Sequence, residues 1–193
     1  MLNFETIIMR IQLNVQAFLI TGGPGMGKTS LIRELGQQGY ACVQESGRHI
    51  IQTELKAGGN RLPWADRQGF AQKMFDRAVA DFKQVLMEDR TTFFDRGLPD
   101  VIGYLKLCGL QMPAHIWSAA ETYRYHPNVF ITPPWSEIYV TDNERKQPFE
   151  EAKATYEAMV DVYTRLNYSL IEIPKIPVAQ RARFLIDHLA GIP

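Results

Sequence analysis

Short apolar runs alternate along this chain with longer stretches whose apolar residues recur at helical spacing. Val15-Gln16-Ala17-Phe18-Leu19-Ile20-Thr21 has the nearly continuous apolar character of a strand covered on both faces. Ser30 to Gly36 follows as a helix with Leu31, Ile32 and Leu35 on one face. Gly39 breaks the chain, Tyr40 to Gln44 predicts a second strand, and Glu45 to Lys56 a helix that Gly58-Gly59-Asn60 stops. Leu62-Pro63-Trp64 opens a long helix running to about Asp89, along which Phe70, Met74, Phe75, Val79, Phe82 and Leu86 keep the helical period. Thr91-Thr92-Phe93-Phe94 predicts a strand ending at Asp95, with helices around Val101–Cys108 and Ala114–Tyr125 after it. Asn128 to Thr132 is a fourth strand, terminated by Pro133-Pro134-Trp135 because proline brings no N–H to a ladder. A polar stretch, Asp142 to Gln147, precedes a helix from about Pro148 to Asn167; Ser169 to Ile173 is a last strand and Pro177 to Leu189 a last helix.

Strand and helix alternate throughout, which predicts an α/β fold: a parallel sheet of five strands between two helical layers. The 193 residues suit a single domain over 1–193. Residues 1–12 form an N-terminal extension that mixes Asn3, Glu5, Arg10 and Gln12 among apolar positions, a poor match to a signal peptide. The apolar share of 46% and charged share of 22% are those of an ordinary globular chain. Zero formal net charge gives no global field toward nucleic acid or an anionic membrane, so neither is an expected partner. No apolar run approaches a membrane span. Cys42 and Cys108, far apart and without metal-ligand spacing, suggest buried thiols in a reducing compartment, hence a cytoplasmic location.

Chemistry concentrates in one octet. Gly22-Gly23-Pro24-Gly25-Met26-Gly27-Lys28-Thr29 fits G-x-x-x-x-G-K-[ST], set between a predicted strand and a predicted helix. Its glycines let the backbone approach phosphate oxygens, and its successive N–H groups form an anion nest. The residues Gly22 to Ser30 are therefore the expected nucleotide-binding set. Lys28 is placed for the β and γ phosphates and the Thr29 hydroxyl for Mg²⁺. Phe93-Phe94-Asp95 is an apolar strand ending in an acid, the pattern by which a carboxylate next to a phosphate loop holds Mg²⁺. No H-x-x-x-H pair marks a zinc site, and no G-x-S-x-G marks a serine nucleophile.

Asp95-Arg96-Gly97 resembles the nucleoside and nucleotide kinases of the P-loop class. That resemblance puts the acid near the metal or the attacking hydroxyl and Arg96 on phosphate or acceptor; a surface ion pair opening a helix is the competing account. Thr141 to Gln147, within a lid-like segment of about residues 136–149, sits where such kinases close over the nucleotide. Arg145, with Lys146 as the alternative, is the implied lid cation, and a solvated mixed-charge loop the competing account. Glu45 follows the second strand, whose end faces the acceptor pocket in this topology, and could bind or deprotonate a sugar hydroxyl. Arg48 could hold an anionic acceptor group; an i,i+3 pair of Glu45 with Arg48 at a helix start is the alternative. Trp64, Asp66 and Arg67 begin the next helix and could line the same pocket, Trp64 either stacking on a base or packing into the core.

Together Gly22–Thr29, Glu45-Ser46-Gly47-Arg48, Leu62 to Arg67, Phe94 to Asp100, Pro133-Pro134-Trp135 and Thr141–Gln147 resemble a family of small P-loop NTPases labelled AAA-type ATPases, from about residue 16 onward. This family is similar to the kinase domain that phosphorylates nicotinamide riboside, and more distantly to thymidylate and deoxynucleoside kinases. The resemblance implies a three-layer α/β/α fold with the strand order 2-3-1-4-5. It implies ATP and Mg²⁺ as cofactors, and a phosphotransferase acting on a nucleoside or ribosyl hydroxyl. Lys28, Asp95, Arg96, Arg145 and Glu45 are then catalytic, Thr29 and Asp95 bind the metal, and Glu45, Arg48, Trp64 and Arg67 bind the acceptor. A slow ATPase or GTPase serving as a nucleotide-dependent binding module remains the alternative. Neither the L-S-G-G-Q segment of transporter ATPases nor the N-K-x-D segment of guanine switches occurs.

Overall fold

Strands β1 (Ala17–Gly22), β2 (Ala41–Val43), β3 (Thr92–Asp95), β4 (Asn128–Thr132) and β5 (Ser169–Glu172) form one sheet. Its order is β2-β3-β1-β4-β5 and every pairing is parallel, as the resemblance implies. The computed structural model describes residues 16–88, 90–139 and 148–190. Seven α-helices connect the strands: α1 (Lys28–Gln37), α2 (Ser46–Ala57), α3 (Arg67–Leu86), α4 (Leu98–Leu107), α5 (Ala114–Thr122), α6 (Phe149–Arg165) and α7 (Val178–Ala190).

The two-residue period of β1 divides the core between the two faces of the sheet. Phe18 and Ile20 pack with Leu31, Ile32 and Leu35 of α1 and with Ala182 and Leu185 of α7. Ala17 and Leu19 point the other way, into a larger cluster with Phe82 of α3, Leu98 and Ile102 of α4, Ile116 of α5 and Val162 of α6. A fully buried Leu or Ile contributes about 1.5–3 kcal/mol, so the central strand is held from both sides.

Several boundaries differ from the sequence expectation, each for a local reason. The long helix begins at Arg67 rather than at Leu62, because the Asp66 side chain caps it by accepting the Gly69 N–H at 2.8 Å. The helix after β3 begins at Leu98, not Val101; Pro99 suits a first turn, and Asp100 accepts the Gly97 N–H at 2.9 Å. The first helix begins at Lys28, inside the glycine-rich octet. Cys42 and Cys108 are half-buried rather than buried. Among the described residues, no helix is long and apolar enough to cross a membrane.

Candidate active site

Parallel strands bring their carboxyl ends to one edge, and the loops leaving them build the site. β1 and β3 are in register with Ile20 opposite Asp95, and the Arg96 N–H donates to the Ile20 carbonyl at 3.0 Å. The glycine-rich loop and the acid-arginine corner are thereby neighbours. Gly22 has φ 125° and lies against Thr132 of β4 so closely that a Cβ would collide with that residue's backbone. Gly27, at φ 79°, is the N-cap of α1 and supplies no side-chain cap. No acid occupies the first turn of α1, so its N–H groups and positive dipole end are left for an anion.

Lys28 is only 5% exposed. Its ammonium donates to the Gly22 carbonyl at 3.2 Å and the Gly23 carbonyl at 2.6 Å, folding the side chain back over the loop. Burial, and then the nearby Arg96 charge, lower its pKa to about 8. Asp95 ends β3 at 2% exposure, and among the described residues neither carboxylate oxygen has a hydrogen-bond partner. Burial pushes its pKa up to about 6. An orphaned buried carboxylate is costly unless something arrives to satisfy it.

That observation tests the implied metal. Mg²⁺ is ordinarily held by one or two protein oxygens together with phosphates and water. Thr29 and Asp95 both line the cavity beside the loop, and no group of three or more His, Cys, Asp or Glu suited to a metal occurs among the described residues. A sparse oxygen set with an unsatisfied carboxylate fits Mg²⁺ and does not fit a zinc site.

Arg96 occupies the left-handed region, φ 72°, at the turn from β3 into α4. Its Nε donates to Glu45 at 3.3 Å and its Nη1 to Asp100 at 2.9 Å. Burial opposes its charge, yet the carboxylates of Glu45, Asp100 and Asp95 hold its pKa above the ordinary value. It is no surface ion pair. Glu45, the N-cap of α2, pairs with Arg96 across 51 positions of sequence.

Pro24, Gly25, Gly27, Lys28, Thr29 and Ser30 line a cavity of about 1280 Å³ together with Glu45, Asp95 and Arg96. Arg48, Trp64, Arg67, Phe70, Met74 and Tyr104 line it as well. Trp64 is 65% exposed at this cavity, which removes it from the core. Arg67 donates from Nε to the Pro63 carbonyl at 3.2 Å. Phe70 and Tyr104 meet edge to face at 5.5 Å. Of the site residues expected from sequence, Pro24, Gly25, Gly27, Lys28, Thr29, Ser30, Glu45, Arg48, Trp64, Arg67, Asp95 and Arg96 share this cavity, whereas Gly22, Gly23, Met26 and Asp66 do not line it, Met26 being buried in the core; Arg145, with Lys146 and the rest of 140–147, lies outside the described residues. The chain flanking that segment closes on the loop: the Tyr139 ring packs against Gly25 and meets the Phe149 ring at 5.3 Å.

Asp100 was not expected at the site. Its carboxylate accepts from the Thr21 hydroxyl at 2.6 Å, the Arg96 guanidinium at 2.9 Å, the Gly97 N–H at 2.9 Å and the Tyr163 hydroxyl at 2.6 Å. The sequence signal for it was an acid in the first turn of a helix opening with proline, a pattern that caps many helices without reaching a site.

A family model described as an AAA domain matches residues 17–181. No curated protein matches the chain by sequence. Among solved structures, the NadR protein in complex with NR superposes with a TM-score of 0.67 over 96% of this chain at 16% identity. This chain spans about half, 54%, of that protein's length. A deoxyadenosine kinase from M. mycoides, with dCMP and dCDP bound, gives a TM-score of 0.63 at 13% identity, covering 92% of this chain and 100% of its own. A thymidylate kinase from Ehrlichia chaffeensis gives 0.57 at 16% identity, covering 90% and 97%. At such identities the likeness establishes the fold, that of the P-loop kinases.

Proposed function

The chain belongs to the AAA-domain family, and from that premise we propose that it is a phosphotransferase moving the γ-phosphoryl group of ATP to a hydroxyl of a small acceptor, a nucleoside or ribosyl compound. The observation that carries this reading is the size and lining of the cavity. Its roughly 1280 Å³ exceeds the about 300–1,000 Å³ of a pocket for one small molecule. Besides the phosphate loop, it is lined by the aromatic and cationic side chains of Arg48, Trp64, Arg67, Phe70 and Tyr104, which have no evident use in simple hydrolysis. NadR carries NR in its structure and the deoxyadenosine kinase carries dCMP and dCDP, which supports a ribosyl or nucleoside acceptor here.

In this reading the amides of Gly22–Ser30 and the Lys28 ammonium hold the donor phosphates. Thr29 and Asp95 hold Mg²⁺, which screens phosphate charge. Arg48, Trp64 and Arg67 seat the acceptor. Glu45, or Asp95, orients the acceptor hydroxyl and takes its proton as the new O–P bond forms. The bond from the γ-phosphorus to the bridging oxygen breaks, and ADP leaves with that oxygen. Arg96, and Arg145 from the 140–147 segment, stabilise the charge spread over the transferred group. Such chemistry depends on positioning and charge far more than on covalent participation by the protein.

The test is ADP release from ATP and Mg²⁺ across a panel of nucleosides, nicotinamide riboside and nucleoside monophosphates, with Lys28→Ala as blank. Stimulation by one acceptor, with its phosphorylated product seen by mass spectrometry, establishes the kinase. Slow release indifferent to every acceptor replaces this reading with that of a nucleotide-dependent binding module.

A further inference from the structure

Arg181, in the first turn of α7, carries a buried charge that the mechanism above does not use. It is 6% exposed. Among the described residues its Nε has no hydrogen-bond partner, and no carboxylate forms an ion pair with it. Its polar contact is a long one, from Nη1 to the Met26 carbonyl at 3.5 Å. The guanidinium lies 5.6 Å from the centroid of the Trp135 ring. Its position is specific: a Cβ on Gly27 would stand 2.7 Å from Nη1. The cation is thus packed against the glycine that caps α1, where the phosphate loop becomes helix.

Taking an isolated cation out of water is expensive, and buried charges are normally paired. Burial lowers the pKa of Arg181, and among the described residues no carboxylate pairs with it. A structural guanidinium would be given an acid; Arg77 and Arg96 both have one. Trp135 offers a ring face and the Met26 carbonyl a partial charge, and neither matches a full positive charge. What would match it is an anion in the loop that Gly27 closes.

We propose that Arg181 is a donor-site cation, held uncompensated behind Gly27 so that its charge is satisfied when the phosphates of a nucleoside di- or triphosphate enter the loop. This rests on the donor half of the proposed function and extends it to a residue more than 150 positions from the loop. Its action is that of charge in a low-dielectric setting, together with polarisation of the Met26–Gly27 peptide, whose N–H belongs to the nest.

The experiment compares wild type, Arg181→Met and Arg181→Lys for ADP and ATP affinity by calorimetry with Mg²⁺, and for melting temperature without nucleotide. Arg181→Met keeps the bulk and removes the charge. It is expected to weaken ADP and ATP binding by about tenfold or more, the scale of a lost hydrogen bond to a charged group. Its melting temperature without nucleotide should match or exceed wild type, because an uncompensated charge has gone. Arg181→Lys, which keeps the charge without the planar fork, should fall between the two. Unchanged affinity in Arg181→Met overturns the assignment. So does equal loss of affinity in both variants, or a loss matched by a lowered melting temperature, since each reports a packing role. A wild-type protein that binds neither nucleotide overturns the donor reading itself, whereas tight wild-type binding abolished by Lys28→Ala and indifferent to Arg181→Met overturns the Arg181 assignment alone.

Discussion

The Tyr163 hydroxyl donates a 2.6 Å hydrogen bond to the Asp100 carboxylate, joining the last turn of α6 to the first turn of α4. Both residues are buried. The same carboxylate also takes Arg96 at 2.9 Å, so the helix following the 140–147 segment and the arginine of the β3–α4 corner share one anchor. Three of the four donors converge on Asp100 from β1, the corner and α6.

Removing one partner of a buried charged network costs more than the net worth of the network. Asp100→Asn should therefore lower stability by about 3 kcal/mol and leave Arg96 with Glu45 as its remaining ion-pair partner among the described residues. Tyr163→Phe should cost about 1.5 kcal/mol, because Asp100 keeps three donors. Urea denaturation of both variants checks the order; a Tyr163→Phe loss as large as that of Asp100→Asn would contradict the hub.

Asp95 should make stability and metal affinity respond to pH in opposite directions. Its pKa is raised from 3.8 in the unfolded chain to about 6 by burial. The native state thus favours the neutral acid. The stability this gives is full below about pH 4 and is lost as pH rises through about 6. Relative to wild type, Asp95→Asn should gain on the order of 2 kcal/mol between pH 4 and 7 and nothing more above that. Mg²⁺ needs the carboxylate ionised, so wild-type Mg²⁺-dependent nucleotide binding should weaken as pH falls below about 6, while turnover of Asp95→Asn should be low throughout. Thermal melts and metal titrations from pH 4 to 8 read both curves; parallel melting curves for variant and wild type would remove the buried-acid account.

How far the sequence reached follows from where each signal lies. The phosphate loop is contiguous, its residue types are dictated by backbone approach and charge, and it was legible in full. Sheet membership was legible too, because a parallel strand buried on both faces is a plain apolar run, as at Leu19 and Ile20. Contacts between distant segments were not. Glu45 stands in sequence as an i,i+3 neighbour of Arg48, and nothing local announces its ion pair with Arg96, 51 positions away. Trp64 reads more readily as a core residue than as cavity lining, since apolarity does not tell which wall it joins, yet it is 65% exposed. Asp100 was concealed by its capping role, and Arg181 by standing as a lone charge among the apolar positions Val178, Ala182 and Leu185 of α7.

Lys28 should take up a proton when the donor binds. Burial holds its pKa near 8 in the nucleotide-free protein, so at pH 8.5 much of it is neutral. Phosphate charge beside it favours the ammonium and raises that pKa. Calorimetry of ADP binding by the wild type at pH 8.5, in two buffers of different ionisation enthalpy, should show net proton uptake that is lost at pH 7, where Lys28 is already largely charged. The opposite sign, or no buffer dependence, would mean that Lys28 does not face the bound phosphates.

Trp64 separates acceptor binding from folding. At 65% exposure it contributes little to the core, and exposed substitutions usually stay within about 0.5 kcal/mol. Trp64→Ala should therefore melt with wild type. Stacking of a flat acceptor on the indole is worth about 1–3 kcal/mol, so the KM for the acceptor found in the panel should rise by about tenfold or more while the KM for ATP stays unchanged. Steady-state kinetics with each substrate varied in turn decides it. A rise in the ATP constant would place Trp64 on the donor side of the cavity, and no change in either would leave it outside the site.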